Sequence, residues 1–171
     1  KTLQVIRKAD PEFKVSLAGN FHKELEADIY DYCIPIGASY PAEVLARRAQ
    51  NNLPTTYYTC CTEAFPNTFT FSDPAEAAWM SYYSAKDHLD GYLRWAYNSW
   101  PKEPLLDSRF EAWAGGDTYL VYPGARSSIR FEKLIEGVQA HEKITILRKE
   151  FTDKKNKTGF KKLEKMLSTF N

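Results

Sequence analysis

The stretch "FSDPAEAAWMSYYSAKDHLDGYLRWAY", residues 71–97, reads as a helix that feeds straight into a strand. Asp73 fits the N-cap, Pro74 the first helical position, and Glu76 the partner that closes a capping box. Ala78, Trp79, Tyr82 and Tyr83 recur at helical spacing, and Gly91 resets the chain. "GYLRWAY" then continues as an aromatic-rich strand. Helices alternating with short, half-buried strands imply a parallel sheet with right-handed crossovers.

The same alternation extends on both sides. Residues 13–18, 28–34, 55–61 and 91–97 are the expected strands. "SYPAEVLARRAQNN" is a helix with Pro41 in its first turn and Val44, Leu45 and Ala49 as its apolar stripe. "GDTYLVYPG", residues 116–124, reads as a further short strand between glycines. "SSIRFEKLIEGVQAHEKITILRKEF" is a long amphipathic helix, with Leu134, Ile135, Val138, Ile144, Leu147 and Phe151 expected on one face. "TDKKNKTG" is a polar linker, and "FKKLEKMLSTF" a terminal helix with a basic, solvated face.

Composition sets bounds. The 171 residues favour one domain, with a core sizeable enough to need no disulfide or metal staples. A net charge of +1 gives no pull toward nucleic acid or an acidic membrane, and no apolar run is long enough to span a membrane. Cys33, Cys60 and Cys61 match no zinc spacing. They are either buried free thiols or hold one bridge from Cys33 to Cys60 or Cys61. The chain has no Gly-rich phosphate loop, no Gly-x-Ser-x-Gly elbow and no His-Glu-x-x-His. No cofactor and no metal are therefore expected.

Aromatics are abundant, at 15% of the residues, and they crowd the strand ends. In parallel α/β sheets ligand chemistry sits at the carboxyl ends of the strands. Asn20 and His22 follow the first expected strand, Tyr58 and Glu63 the third, and Trp95, Tyr97 and Trp100 the fourth, while Asp117 flanks the fifth. Sugars call for this mixture: C–H faces pack on aromatic rings, and hydroxyls need directed donors and acceptors. Packing under loops is the competing reading for any single ring. His22 is either a base or an exposed loop residue. Glu63 and Asp117 are candidates for an acid–base pair across a glycosidic bond, although no spacing fixes their separation. Arg130 and Glu132 are expected to tie the start of the long helix to the preceding loop.

From Trp95 to Glu136, "GYLRWAYNSW" and "DSRFEAWAGGDTYLVYPGARSSIRFEKLIEGVQAHE" resemble the carboxyl-terminal part of glycoside hydrolase family 123 and its relatives. Looser similarity through "TTYYTCC" and "KVSLAGNFH" extends the resemblance over roughly residues 10–150. The resemblance implies an α/β fold: the C-terminal half of a (β/α)8-type barrel, with about four parallel strands and flanking helices. Residues 1–151 would form that half and 152–171 a linker and helix. It also implies an N-acetylhexosamine-containing glycan as partner and a secreted or periplasmic location.

Characterised members use the substrate's own acetamido oxygen as nucleophile, assisted by an adjacent Asp-Glu pair. This chain contains no Asp-Glu dipeptide. The expectation is therefore a fragment that supplies sugar-pocket walls and is inactive alone, with Asn20, His22, Tyr58, Glu63, Trp95, Tyr97, Trp100 and Asp117 as substrate-binding candidates and no catalytic residue. The alternative is a non-catalytic carbohydrate-binding or structural accessory domain. Half a barrel also exposes sheet edges, so self-association is expected.

Overall fold

The computed structural model describes residues 2–170. The fold is α/β, with parallel strands and flanking helices, consistent with part of a barrel. It consists of two compact units, Lys1–Tyr58 and Thr59–Asn171.

In the first unit, helix α1 (Thr2–Ala9) precedes three strands, β1 (Ser16–Ala18), β2 (Asp31–Pro35) and β3 (Thr55–Tyr58). β2 pairs in parallel with β1 (Ala18 opposite Cys33) and with β3 (Pro35 opposite Tyr58). Helix α2 (Ala42–Gln50) is the crossover that a parallel β2–β3 pair requires. Tyr32, Cys33, Ile34 and Tyr57 are fully or almost fully buried. The inward face of α2 is not the expected Val44, Leu45 and Ala49 stripe: Val44 and Arg48 are buried, and Ala49 is exposed. Arg48 is tolerated inside because backbone carbonyls surround it. Its guanidinium donates to the carbonyls of Ile29 (3.1 Å), Tyr30 (2.7 Å) and Pro54 (2.8 Å), satisfying a charge that would otherwise be costly to bury. The Cys33 thiol is pushed up to about 11, chiefly by burial. All three cysteines are free, so the bridge considered for Cys33 is absent.

The second unit holds helix α3 (Pro74–Lys86), strand β4 (Gly91–Leu93), the long helix α4 (Ile129–Asp153) and helix α5 (Lys157–Leu167). The α3 start follows the sequence reading. Asp73 accepts from the Ala75 N–H at 2.9 Å, and Glu76 accepts from the Asp73 N–H at 2.9 Å. The second Glu76 oxygen reaches the Asn67 N–H (2.9 Å), and the buried Asn67 amide donates to the carbonyls of Cys60 (2.8 Å) and Glu63 (2.7 Å). One capping glutamate thus also organises the loop before the helix.

α4 packs closely on α3 because of Gly137. A Cβ there would lie 2.7 Å from the Ala78 carbonyl oxygen and 2.8 Å from its Cα. The buried residues of α4 are Arg130, Gly137 and Ile144, two turns apart, while Val138 is 50% exposed. The expected stripe is therefore rotated toward the glycine, where the two backbones approach most closely. Ile144 joins Ala85 and Leu167 in a cluster flanked by Tyr82 and Leu163, and Arg148 grips Glu164 through two bonds of 2.7 and 3.0 Å. α5 is docked by these contacts.

β1 and β2 each begin three residues later than expected and β3 ends three residues earlier, and two further expected strands change more. β4 stops at Leu93 rather than residue 97, and residues 116–124 form turns with isolated antiparallel bridges instead of a strand. The cause is shared: the chain after β4 pairs with this turn segment, Asn98 opposite Tyr119.

Candidate functional site

The segment after β4 and the segment 114–121 are zipped together. Leu120 N–H donates to the Tyr97 carbonyl (2.8 Å), Ser99 N–H to the Thr118 carbonyl (3.0 Å), and the Thr118 hydroxyl back to the Ser99 carbonyl (2.6 Å). The backbone bends sharply at Gly116, whose φ is +76°, and a Cβ there would come within 2.6 Å of Arg130 Nη1. Glycine is needed on both counts. Two guanidinium groups clasp this bend. Arg130, buried, donates to the carbonyls of Thr68 and Gly116 (2.9 Å for Gly116). Arg94, with a side chain 7% exposed, donates to the carbonyls of Gly116 (3.2 Å) and Asp117. Burial pulls the Arg130 value down and pushes the Tyr119 phenol, beneath the Arg130 guanidinium, up to about 12. Arg130 thus ties α4 to the preceding loop, as expected, while the Glu132 carboxylate takes the Ser127 hydroxyl.

On this frame stand the aromatic rings. Trp95 is 47% exposed, and its indole N–H points at Asp117 Oδ1, 3.3 Å away. Trp100 donates its indole N–H to the Val121 carbonyl at 2.7 Å. Both tryptophans therefore anchor by one edge to the same short segment, 117–121. Tyr97 is also 47% exposed and meets Phe131 edge to face. Trp113, which the sequence reading left unassigned, lies 5.6 Å from Trp95 between centroids at a tilt of 46° and is 42% exposed. Its signal was its place just before the Gly115–Gly116 bend that clamps Asp117.

The carboxylates occupy different positions. Asp117 is fully buried, with Oδ1 3.6 Å from Arg94 Nη1, so it supports the ring of Trp95 from beneath the surface. Glu63 closes its own turn, accepting from the Cys60 N–H (2.6 Å) and the Thr62 hydroxyl (2.8 Å). Partial burial acts to raise the Glu63 carboxyl, but these bonds outweigh it and hold the group below the usual glutamate range. A carboxylate so held is a poor proton donor at neutral pH.

In the first unit, Asn20 and His22 lie on the loop after β1. The Tyr32 hydroxyl donates to the Asn20 carbonyl (3.0 Å) and accepts from the His22 N–H (2.9 Å), leaving the His22 ring 53% exposed beside Glu24. Tyr58 ends β3. Among the described residues, no group of three or more His, Cys, Asp or Glu is placed to hold a metal ion, and no helix is long and apolar enough to cross a membrane.

The family model of the glycoside hydrolase 123 catalytic domain matches residues 1–147. The chain belongs to this family. Among solved structures, eleven chains match it. One is a family 123 glycoside hydrolase from Clostridium perfringens, described for the details of its glycolipid glycan hydrolysis. It is 31% identical, with a TM-score of 0.73, over 84% of this chain. The present glycoside hydrolase 123 domain spans only 27% of that enzyme's length. No curated protein matches.

Proposed function

We propose that this glycoside hydrolase 123 domain supplies the aromatic wall of a subsite for a terminal N-acetylhexosamine, in an enzyme that degrades glycans outside the cytoplasm. The observation that carries the reading is Trp95, whose edge is tethered to buried Asp117 while nearly half its surface stays open. A ring fixed at one edge loses little freedom when a sugar C–H face settles on it. Trp113, 5.6 Å from Trp95 and tilted by 46°, extends that exposed aromatic surface, and Tyr97 and Trp100 are proposed to flank it. Asp117 acts as a positioning residue. Asn20, His22 and Tyr58 are carried in the proposal as residues at or beyond the carboxyl ends of β1 and β3, and Glu63 as the residue that sets the loop after β3.

The sugar's acetamido group would act as nucleophile, steadied by an Asp-Glu pair. The chain has no such dipeptide, so it is proposed to bind sugar without turning it over. Calorimetric titration with N-acetylgalactosamine and N-acetylglucosamine tests this. Trp95→Ala should weaken binding by about 1–3 kcal/mol, by analogy with stacking of other flat rings on aromatics. Unchanged titration of the variant would reduce Trp95 to packing. Release of aryl alcohol from an aryl N-acetylgalactosaminide by the chain alone would overturn the reading of it as non-catalytic.

A further inference from the structure

The carboxyl-terminal end of α4, with α5, lies beyond the segment that the family model matches and carries a surface of its own. Phe151 and Phe160 line a cavity of about 400 Å³ together with Lys155, Lys157 and Lys161. It exists because α5 begins against Phe151: a Cβ on Gly159 would lie 3.0 Å from the Phe151 ring. Two of the neutral polar groups at its margin are engaged within the helices. The Thr152 hydroxyl donates to the Arg148 carbonyl (2.8 Å), and Asn156 Oδ1 accepts from the Gly159 N–H (2.9 Å).

Charge is distributed unevenly here. Arg148, Lys149 and Lys154 are paired with Glu164, Asp153 and Glu150. Lys155, Lys157, Lys161, Lys162 and Lys165 are exposed and make no ion pair among the described residues. Lys157, Lys161 and Lys165 form one stripe along α5, at successive i, i+4 positions. Met166, four residues after Lys162, is 58% exposed.

We propose that this end of the molecule docks on an anionic phospholipid surface. The five lysines would meet the headgroup charges, and the Phe151–Phe160 cavity would take an apolar group from the interface. A bilayer offers anions in a plane above hydrocarbon, which is what cations around an apolar mouth complement. A peptide would bring backbone N–H donors to a rim whose free polar groups, the lysine ammoniums, are donors themselves. A second copy docking face to face would set the same lysines against each other. None of these residues belongs to the sugar surface, so this inference stands independently of the proposed function.

The test is co-sedimentation of the full chain with large vesicles of phosphatidylcholine, with or without about 30% phosphatidylserine. The expected result is binding to the anionic vesicles alone, lost at roughly 0.5 M salt. The triple variant Lys155→Glu/Lys157→Glu/Lys161→Glu should bind at least about 100-fold more weakly, since each lysine near such a surface contributes about 1 kcal/mol. These side chains are exposed and unpaired, so its thermal melt should match the parent's. Equal binding to neutral vesicles, no vesicle binding, or an unaffected triple variant would overturn the proposal. So would saturable uptake of a monomeric anionic detergent or an oligothymidylate without vesicle binding, or a concentration-dependent dimer that the triple variant abolishes.

Discussion

Asp117 and Arg94 should behave as a unit that the protein keeps whole or loses whole. Asp117 is 0% exposed, Arg94 is 7% exposed at its side chain, and the charged groups are 3.6 Å apart. Asp117→Asn leaves the guanidinium buried without a countercharge, and Arg94→Met leaves a buried carboxylate. Removing one partner of such a pair costs about 3–5 kcal/mol. A domain of this size has about 5–15 kcal/mol in all. At about 2–4 °C per kcal/mol, each single variant should melt roughly 6–20 °C lower. The double variant Arg94→Met/Asp117→Asn buries no charge and should recover most of the loss, leaving a coupling of about 3 kcal/mol or more in a urea-unfolding cycle. The reasoning fails if Asp117→Asn stays within about 1 kcal/mol of the parent, or if the two losses simply add. In either case Asp117 would not be the structural anchor of Trp95.

Further outcomes are expected elsewhere. Gly137→Ala gains up to about 1 kcal/mol of helix propensity, but forces a methyl within 2.7 Å of the Ala78 carbonyl. Overpacking costs about 1–3 kcal/mol, so the net should be a loss, read as a lower melting temperature. Iodoacetamide should label exposed Cys61 in the native protein, faster at alkaline pH as its thiolate forms, whereas buried Cys33, its thiol pushed up to about 11, should react only on unfolding. The Glu164 carboxyl is held low, first by its bonds from Arg148. Its contribution is complete above the unfolded glutamate value of about 4.3 and is lost as pH falls through the lower folded value. Glu164→Gln should therefore flatten the acid side of the stability profile. Sedimentation equilibrium should show self-association through sheet edges such as β1, a three-residue strand; a monomer at every concentration would refute it.

The elements that could be read in the sequence are those whose determinants are local. Asp73, Pro74 and Glu76 fix the start of α3 within four residues, and the structure forms the expected box. The crowd of rings after Gly91 likewise announced a surface, because a strand core uses fewer. Other features depended on distant partners. Residues 116–124 alternate like a strand, but the φ of Gly116 and the pairing of Asn98 with Tyr119 bend them into turns. Arg48 and Arg130 sit where a sequence pattern places apolar side chains. Their burial follows from carbonyls gathered from remote points, residues 29, 30 and 54 for one and 68 and 116 for the other. The support of Trp95 by buried Asp117 links residues 22 apart and carries no periodic signal.

α4 runs unbroken for 25 residues. Its first turn grips the bend beneath the tryptophans, and its last turn bears Phe151. At about 1.5 Å of rise per residue, those two points stand roughly 30 Å apart. The helix thus works as a ruler. It sets in advance the stand-off between whatever touches the lysine-ringed tip and whatever rests against the indoles, and inserting or deleting a turn within it would change that span by about 5 Å.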